Sequence, residues 1–293
     1  MSILDLEFYD LACRLGPQPG HTLALAERCG VKGLLTPPDE AVGAQDGSLA
    51  VRSLAPMTAN LDGEQLAEMA RLQRGGAVGV GQGYAPWKNT RVQLNAMRYA
   101  KSLELRVFLS PLDPVLGLGV AHDGAVAQRL GLETQPSAAE TIALARDLQL
   151  VAETGVTAHM GRLSSAESVR LMARAKHEGL DVTCDVAITH LLWDERQIEG
   201  YDFNYRLQPV LRSDEDRQAL IAGVESGVID AIVSDHTPWP VADKRLPFAQ
   251  AKPGTETLAL WRDGVNGLIR QGALSGARAE QALNRVPRSL LGL

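Results

Sequence analysis

SAAETIALARDLQLVAETGVTAHMGRLSSAESVRLMARAKHEGLDVTCDVAI, residues 137–188, contains two helical patterns, each followed by a short β-type run. The helical stretches are 137–155 and 164–179, and the strand candidates are GVTAHMG (155–161) and DVTCDVAI (181–188). Each helical stretch opens on a serine and stops at a glycine, the residues that cap and end helices. In SSAES, Glu167 follows close behind the serine, as in a capping box. Strands and helices in strict alternation point to repeated βα units around a parallel sheet.

Outward from this stretch the alternation continues in both directions. Six further strand candidates are ILDLEFYDL (3–11), VKGLLTP (31–37), LAVRSLAP (49–56), GAVGVGQ (76–82), LRVFLSP (105–111) and IDAIVSDHTP (229–238). Helical stretches lie between most of them: HTLALAERCG, GEQLAEMARLQRGG, VQLNAMRYAKSL and SDEDRQALIAGVESG. Eight such units in one chain of 293 residues predict a single (β/α)8 TIM-barrel domain over 1–293, with chemistry at the C-terminal ends of the strands. One unit is defective, because only PDEAVGAQDGS separates the second and third strands. That length is at the lower limit for a helical crossover, so a loop or single turn is expected there, and a barrel short of one outer helix.

Composition narrows the function classes. The 29 basic and 35 acidic residues give a net charge of −6, with the cations scattered, which argues against nucleic acid as a partner. Cys13, Cys29 and Cys184 are an odd set without metal-finger spacing and read as reduced thiols of a cytoplasmic protein. MSILDLEFYD has no basic residue before its apolar stretch, unlike a signal peptide, and no apolar run approaches the ~20 residues of a membrane span. A soluble, intracellular chain is the expectation.

At the end of the last strand, SDHTPW (234–239) places Asp235 and His236 at the barrel mouth, where a carboxylate could bind metal or act as a base. The same pair could equally cap the loop that follows.

The segment from Pro136 to WDE at 193–195 resembles the dihydroorotase branch of the amidohydrolase superfamily. LQPVLRSDEDRQALIAGVESGVIDAIVSDHTPW (207–239) is similar to that family's NPPLR-type loop and final DHAPH strand. RLGLE (129–133), KRLPFAQAKPGTET (244–257) and VPRSLLGL (286–293) resemble further family segments in the expected order, and PPDE, GEQLAEM and the glycine-rich fourth strand extend the likeness. The resemblance implies a barrel with a binuclear zinc centre that hydrolyses a cyclic amide.

Position by position, that centre is expected to be gone. The family's HxH on strand one corresponds to Ala12 and Arg14, and a permanently charged guanidinium has no lone pair for a metal. The bridging carboxylate falls at about Gln82 or Gly83, the strand-five histidine at Leu109, and the strand-six histidine at Arg162. Asp235 alone survives, so the resemblance predicts that the family's zinc is lost and that no cofactor replaces it. Substrate contacts have thinned too: the arginine after HxH is replaced near Gly16, the asparagine after strand two falls at about Asp39, and that of the NPPLR loop at Gln208. His159 and His190 match family positions that are not ligands. A rearranged single-metal site from Asp235, His236 and either His159 or His190 is the alternative to ordinary hydrogen-bonded histidines on an old active-site floor.

Arg14 and Arg162 are expected to extend into the space of the two ions and pair with Asp235, since a guanidinium fork can satisfy a lone buried carboxylate. The accessory β-sandwich that wraps full-length relatives is expected to be lacking. Two functions follow. DLACRL closely resembles strand one of silent dihydroorotase-like chains that act as non-catalytic partners of aspartate carbamoyltransferase in pyrimidine biosynthesis, so the resemblance implies that partner, with a homodimer also open. The other is a working hydrolase of dihydroorotase, hydantoinase or allantoinase type, with a relocated metal or none; a small-molecule sensor using the old pocket is a third.

Overall fold

The structure is a computed structural model that describes residues 7–40 and 48–293. Its strands are β1 (Phe8–Asp10), β2 (Val31–Thr36), β3 (Ala50–Ser53), β4 (Ala55–Pro56), β5 (Val80–Gly81), β6 (Val107–Leu109), β7 (Ala121–His122), β8 (Thr134–Gln135), β9 (Ala158–Met160), β10 (Val182–Ala187) and β11 (Ala231–Val233). All described ladders are parallel. One runs β1-β2-β3, and another runs β11-β10-β9-β6-β5-β4. The stretch expected as one strand at 49–56 is bent at Leu54: its first half pairs with β2, its second with β5, and so it joins the two arrays. The seam between β1 and β11 is closed by a bridge from Cys13 to His236 and by Arg14 N–H donating to the His236 carbonyl at 2.8 Å. The result is the expected (β/α)8 barrel.

The helices are α1 (Pro19–Arg28), α2 (Met69–Arg74), α3 (Thr90–Ser102), α4 (Ala125–Leu130), α5 (Ala138–Thr154), α6 (Ala166–His177), α7 (Ile188–Leu192), α8 (Asp214–Ser226), α9 (Val241–Lys244), α10 (Leu258–Arg270), α11 (Gly276–Glu280) and α12 (Val286–Leu290). With helices outside, the strands are buried on both faces, which is why VKGLLT and VTCDVA read as nearly continuous apolar runs. Val80, Val107, Ala158, Cys184, Val186 and Ile232 are fully buried in one apolar core under the helices.

Several expectations are corrected. The helix expected over 63–76 is confined to Met69–Arg74, because the Asp62 carboxylate accepts from the N–H groups of Glu64 and Gln65 and offers the backbone a turn instead. Ser165 and Ser213 cap α6 and α8 through their side chains as expected, whereas Ser137, before α5, makes no such bond. The paired strands β7 and β8, with α4 between them, form an excursion that sequence patterning did not anticipate. The loop or turn expected over 38–48 begins as a 3-10 turn at Pro38–Glu40; residues 41–47, and residues 3–6 of the first expected strand, lie outside the described residues.

The α5–α6 pair that opens the quoted stretch is locked by one buried side chain. The Glu140 carboxylate accepts from the backbone N–H of Ser164 (3.0 Å) and Ser165 (3.2 Å) and from the hydroxyls of Ser164, Ser165 and Ser168. Glu140→Ala would leave these buried donors unmet, and the unfolding free energy is expected to fall by about 3 kcal/mol in urea titration. A loss below about 0.5 kcal/mol would show that water satisfies the donors instead.

Candidate functional site

The C-terminal ends of the barrel strands converge on the positions singled out in the sequence. At the end of β1, Asp10 is completely buried and accepts from Ser234 N–H (3.0 Å), the Ser234 hydroxyl and Ala12 N–H (3.3 Å). Burial pushes its carboxyl up to about 7, against the pull of the Ser234 bonds. Ala12 presents only a methyl group to the mouth, and it lines the central cleft.

Arg14 does not pair with Asp235, contrary to expectation. Its Nη1 donates to Asp39 at 2.7 Å and to Glu40 at 3.3 Å, while Leu15 N–H donates to the same Glu40 carboxylate at 2.7 Å. The turn at Pro38–Glu40 carries both acids to the end of β1, so Arg14 finds nearer counter-charges than Asp235. Asp39, expected as a substrate-pocket remnant, is thereby engaged by Arg14.

Arg162 does reach Asp235, with Nη1 at 3.6 Å from Oδ1. The same nitrogen donates to the Gln208 carbonyl at 2.7 Å, so Gln208 contributes its backbone. Arg162 and Asp235 both lie in the left-handed backbone region, with φ of 60° and 50°. Such conformations are uncommon for side-chain-bearing residues and cluster at functional sites. Asp235 is 7% exposed; burial pushes its carboxyl up to about 6, and Arg162 is the main force holding it lower.

Between the two arginines stands a residue that sequence reasoning missed. Tyr84 presents its ring to both guanidiniums, 4.6 Å from Arg14 Cζ and 3.4 Å from Arg162 Cζ, and its hydroxyl makes a long 3.5 Å contact with Asp235. Gly83, at φ +65°, turns the backbone that carries it. Burial raises the phenol above its usual range, so the ring is neutral and offers the cations its π face. The available signal was an aromatic residue directly after the Gln82–Gly83 pair. Gln82 is buried and exchanges hydrogen bonds with the Thr58 hydroxyl at 2.9–3.0 Å. Leu109 is buried at the end of β6, where its carbonyl accepts from Gly161 N–H at 2.7 Å.

Asp185 was also missed. Its carboxylate accepts from the Arg162 backbone N–H at 2.6 Å and contacts His159 Nε2 at 2.8 Å, while His159 Nδ1 meets the Thr183 hydroxyl at 2.8 Å. Both ring nitrogens of His159 are thus occupied. His190 Nδ1 and Nε2 lie near the Thr189 hydroxyl (3.1 Å) and the Val210 carbonyl (3.3 Å). His236 Nδ1 accepts from Thr257 N–H at 3.0 Å, at the start of α10. Burial lowers both His190 and His236 to about 4, so they are neutral.

These side chains do not fit a zinc pair. Two alkyl groups, two guanidiniums and an amide occupy donor positions, and the three buried histidines are spent on internal hydrogen bonds. Among the described residues no group of three or more His, Cys, Asp or Glu side chains is arranged to hold a metal, the rearranged Asp235–His236 site included. The central cleft, bounded by Ala12, Tyr84, Leu109, His159, Arg162 and Asp185, measures about 40 Å³. At one water per ~10–15 Å³ it holds a few waters, far below the ~300 Å³ at which small-molecule pockets begin. No helix among the described residues is long and apolar enough to cross a membrane.

Comparison with known proteins bears on what this mouth descends from. No protein-family model matches the chain. It is 36% identical over 248 residues to a dihydroorotase-like protein of Pseudomonas aeruginosa, covering 84% of this chain and 59% of that one. It is 39% identical over 225 residues to a dihydroorotase-like protein of Pseudomonas putida (76% and 53%), and 33% identical over 256 residues to a dihydroorotase of Caldanaerobacter subterraneus (87% and 59%). The chain thus spans a little over half the length of these curated relatives. Among solved structures, an L-hydantoinase from Arthrobacter aurescens superposes with a TM-score of 0.77 at 20% identity, covering 92% of this chain and 65% of that one. A dihydroorotase from Saccharomyces cerevisiae, solved with 5-fluoroorotic acid, gives 0.74 at 14% identity, covering 100% and 85%. At such identities these two speak for the fold alone.

Proposed function

The chain belongs to the amidohydrolase superfamily, and from that premise we propose that it is a catalytically silent dihydroorotase-like protein, a structural or regulatory partner of aspartate carbamoyltransferase in the cytoplasm. The observation that carries this reading is the Arg14–Tyr84–Arg162 stack, which fills the mouth where the superfamily's chemistry would need room, water and metal donors. Without a Lewis acid there is no evident means of generating hydroxide at neutral pH or polarising an amide carbonyl. The side chains that remain are engaged with one another. Loss of chemistry with retention of the barrel favours a role for the outer surface, and the strand-one DLACRL supplies the resemblance that names the partner.

The competing reading is a working cyclic-amide hydrolase, favoured by the 33% identity to a protein named dihydroorotase. Two measurements separate them. Purified protein incubated with zinc and dialysed is expected to retain less than one equivalent of metal and to leave dihydroorotate unhydrolysed. Stoichiometric zinc with turnover would overturn the silent reading. Size-exclusion chromatography with the aspartate carbamoyltransferase of the same source is expected to give a joint peak. Separate elution with unchanged carbamoyltransferase activity would refute the partnership while leaving catalytic silence standing.

A further inference from the structure

A second cleft, which shares no lining residue with the central one, lies between the segment that follows α7 and the segment that follows β11. It is lined by Phe203, Asn204, Thr237, Trp239, Lys244 and Glu256 and measures about 450 Å³, within the ~300–1,000 Å³ of small-ligand sites. We propose that this cleft binds a small organic anion, a carboxylate or phosphate ester on a flat apolar body, through Lys244 with the field of Arg206 behind it. The mouth has closed to a tenth of this volume, and the inference is independent of the role assigned to the chain above.

The charge distribution points to the anion. Lys244 and Arg206 are only 7% and 9% exposed, and neither makes an ion pair with a carboxylate among the described residues. Lys244 Nζ donates to the carbonyls of Lys252 (2.9 Å) and Gly254 (2.6 Å), and Arg206 Nη1 to the Leu207 carbonyl (3.0 Å). Arg206 Nε is buried without a hydrogen-bond partner. Buried cations are ordinarily paired, and two neighbours of like charge held by neutral carbonyls are an uncompensated arrangement. Burial first, then the repulsion of Arg206, lower the Lys244 ammonium to about 8, with Asp202 the one acid pulling the other way. Arg245 and Glu256 stand at the exposed rim.

The apolar body is suggested by the aromatic walls. Trp239 is oriented by its Nε1–H bond to the Pro253 carbonyl (2.8 Å), with Lys252 Nζ 5.7 Å from its ring centre. Phe203 lines the same cleft, its ring centre 5.9 Å from Lys244 Nζ. A flat anion in this cleft would meet aromatic rings and an ammonium together.

Benzoate is the probe of choice, because it does not titrate near pH 8. The expected result is a saturable shift of the Trp239 indole N–H resonance, assigned with Trp239→Phe, at constant ionic strength. Calorimetry at pH 8 in two buffers of different ionisation enthalpy is expected to show proton uptake, since the bound anion draws a proton onto Lys244. Lys244→Gln is expected to weaken binding by about tenfold, the worth of one close charge pair of roughly 1.4 kcal/mol, and to abolish the uptake. No saturable shift, or unchanged binding by a folded Lys244→Gln variant, would overturn the proposal. If that variant does not fold, the wild type decides with benzamide, the uncharged isostere: a shift that saturates as tightly as that of benzoate refutes the proposal.

Discussion

Arg162→Met is expected to lower the unfolding free energy by about 3–5 kcal/mol at pH 8, the range seen when one partner of a buried ion pair is removed. Arg162 is 6% exposed and is the main force holding the Asp235 carboxyl down near 6. Without it the carboxyl takes up a proton more readily, so the loss should shrink below pH 6, where Asp235 is already neutral in the wild type. In an Asp235→Asn background the same substitution should cost at least about 1 kcal/mol less, since neighbours that share a charge pair are non-additive. The part that survives belongs to the Tyr84 face and the Gln208 carbonyl. Equal cost in both backgrounds would show that the 3.6 Å approach carries no energy and that Arg162 acts only by packing.

A second large effect is hidden in the wild type by opposing titrations. In the folded chain Asp10 stands at about 7 and Asp235 at about 6, above the ~3.9 of an unfolded aspartate. Folding therefore binds protons at these sites, and their contribution is greatest in acid and is lost as pH rises through 4 to 7. His190 and His236, at about 4, lie below the ~6.5 of an unfolded histidine. Their contribution is full above pH 6.5 and is lost as pH falls toward 4. Over this window the contributions of the two pairs nearly cancel. Asp10→Asn removes one member, and the stability of the variant relative to the wild type should then rise by about 3 kcal/mol between pH 4.5 and 6.5. Urea titrations at matched m-values measure this directly; curves parallel to the wild type would mean that Asp10 is ionised in the native protein throughout.

The barrel was legible because alternating strands and helices, with serine starts and glycine stops, leave few other ways to bury the apolar runs. Strand lengths were less so. Ladders such as Val80–Gly81 are two residues long because neighbouring strands pair only briefly before the backbone turns toward the mouth, and hydropathy does not register where pairing stops. In the site, the residue types at 12, 14, 82, 109 and 162 could be read directly, since an alkyl group or a guanidinium cannot act as an imidazole whatever surrounds it. Partners could not be read. Arg14 turned to Asp39 and Glu40 because a turn some twenty-five positions onward delivers them, and Tyr84 entered the mouth because the backbone reverses at Gly83. Asp185 was invisible for the same reason: its importance lies in what β9 places beside it, His159 and the Arg162 amide.

The seam between β1 and β11 has a consequence for solution behaviour. Most neighbouring strands are zipped by backbone ladders, but here a single backbone bridge at Cys13–His236 is reinforced by a side chain, Asp10 gripping Ser234 across 224 positions of sequence. Were that grip to loosen, two strand margins with bare amides and carbonyls would face outward together, and such margins recruit strands from other molecules. The buried carboxylate at the first strand thus also serves as a guard against self-association, and conditions that break it should be met first as turbidity rather than as a soluble unfolded chain.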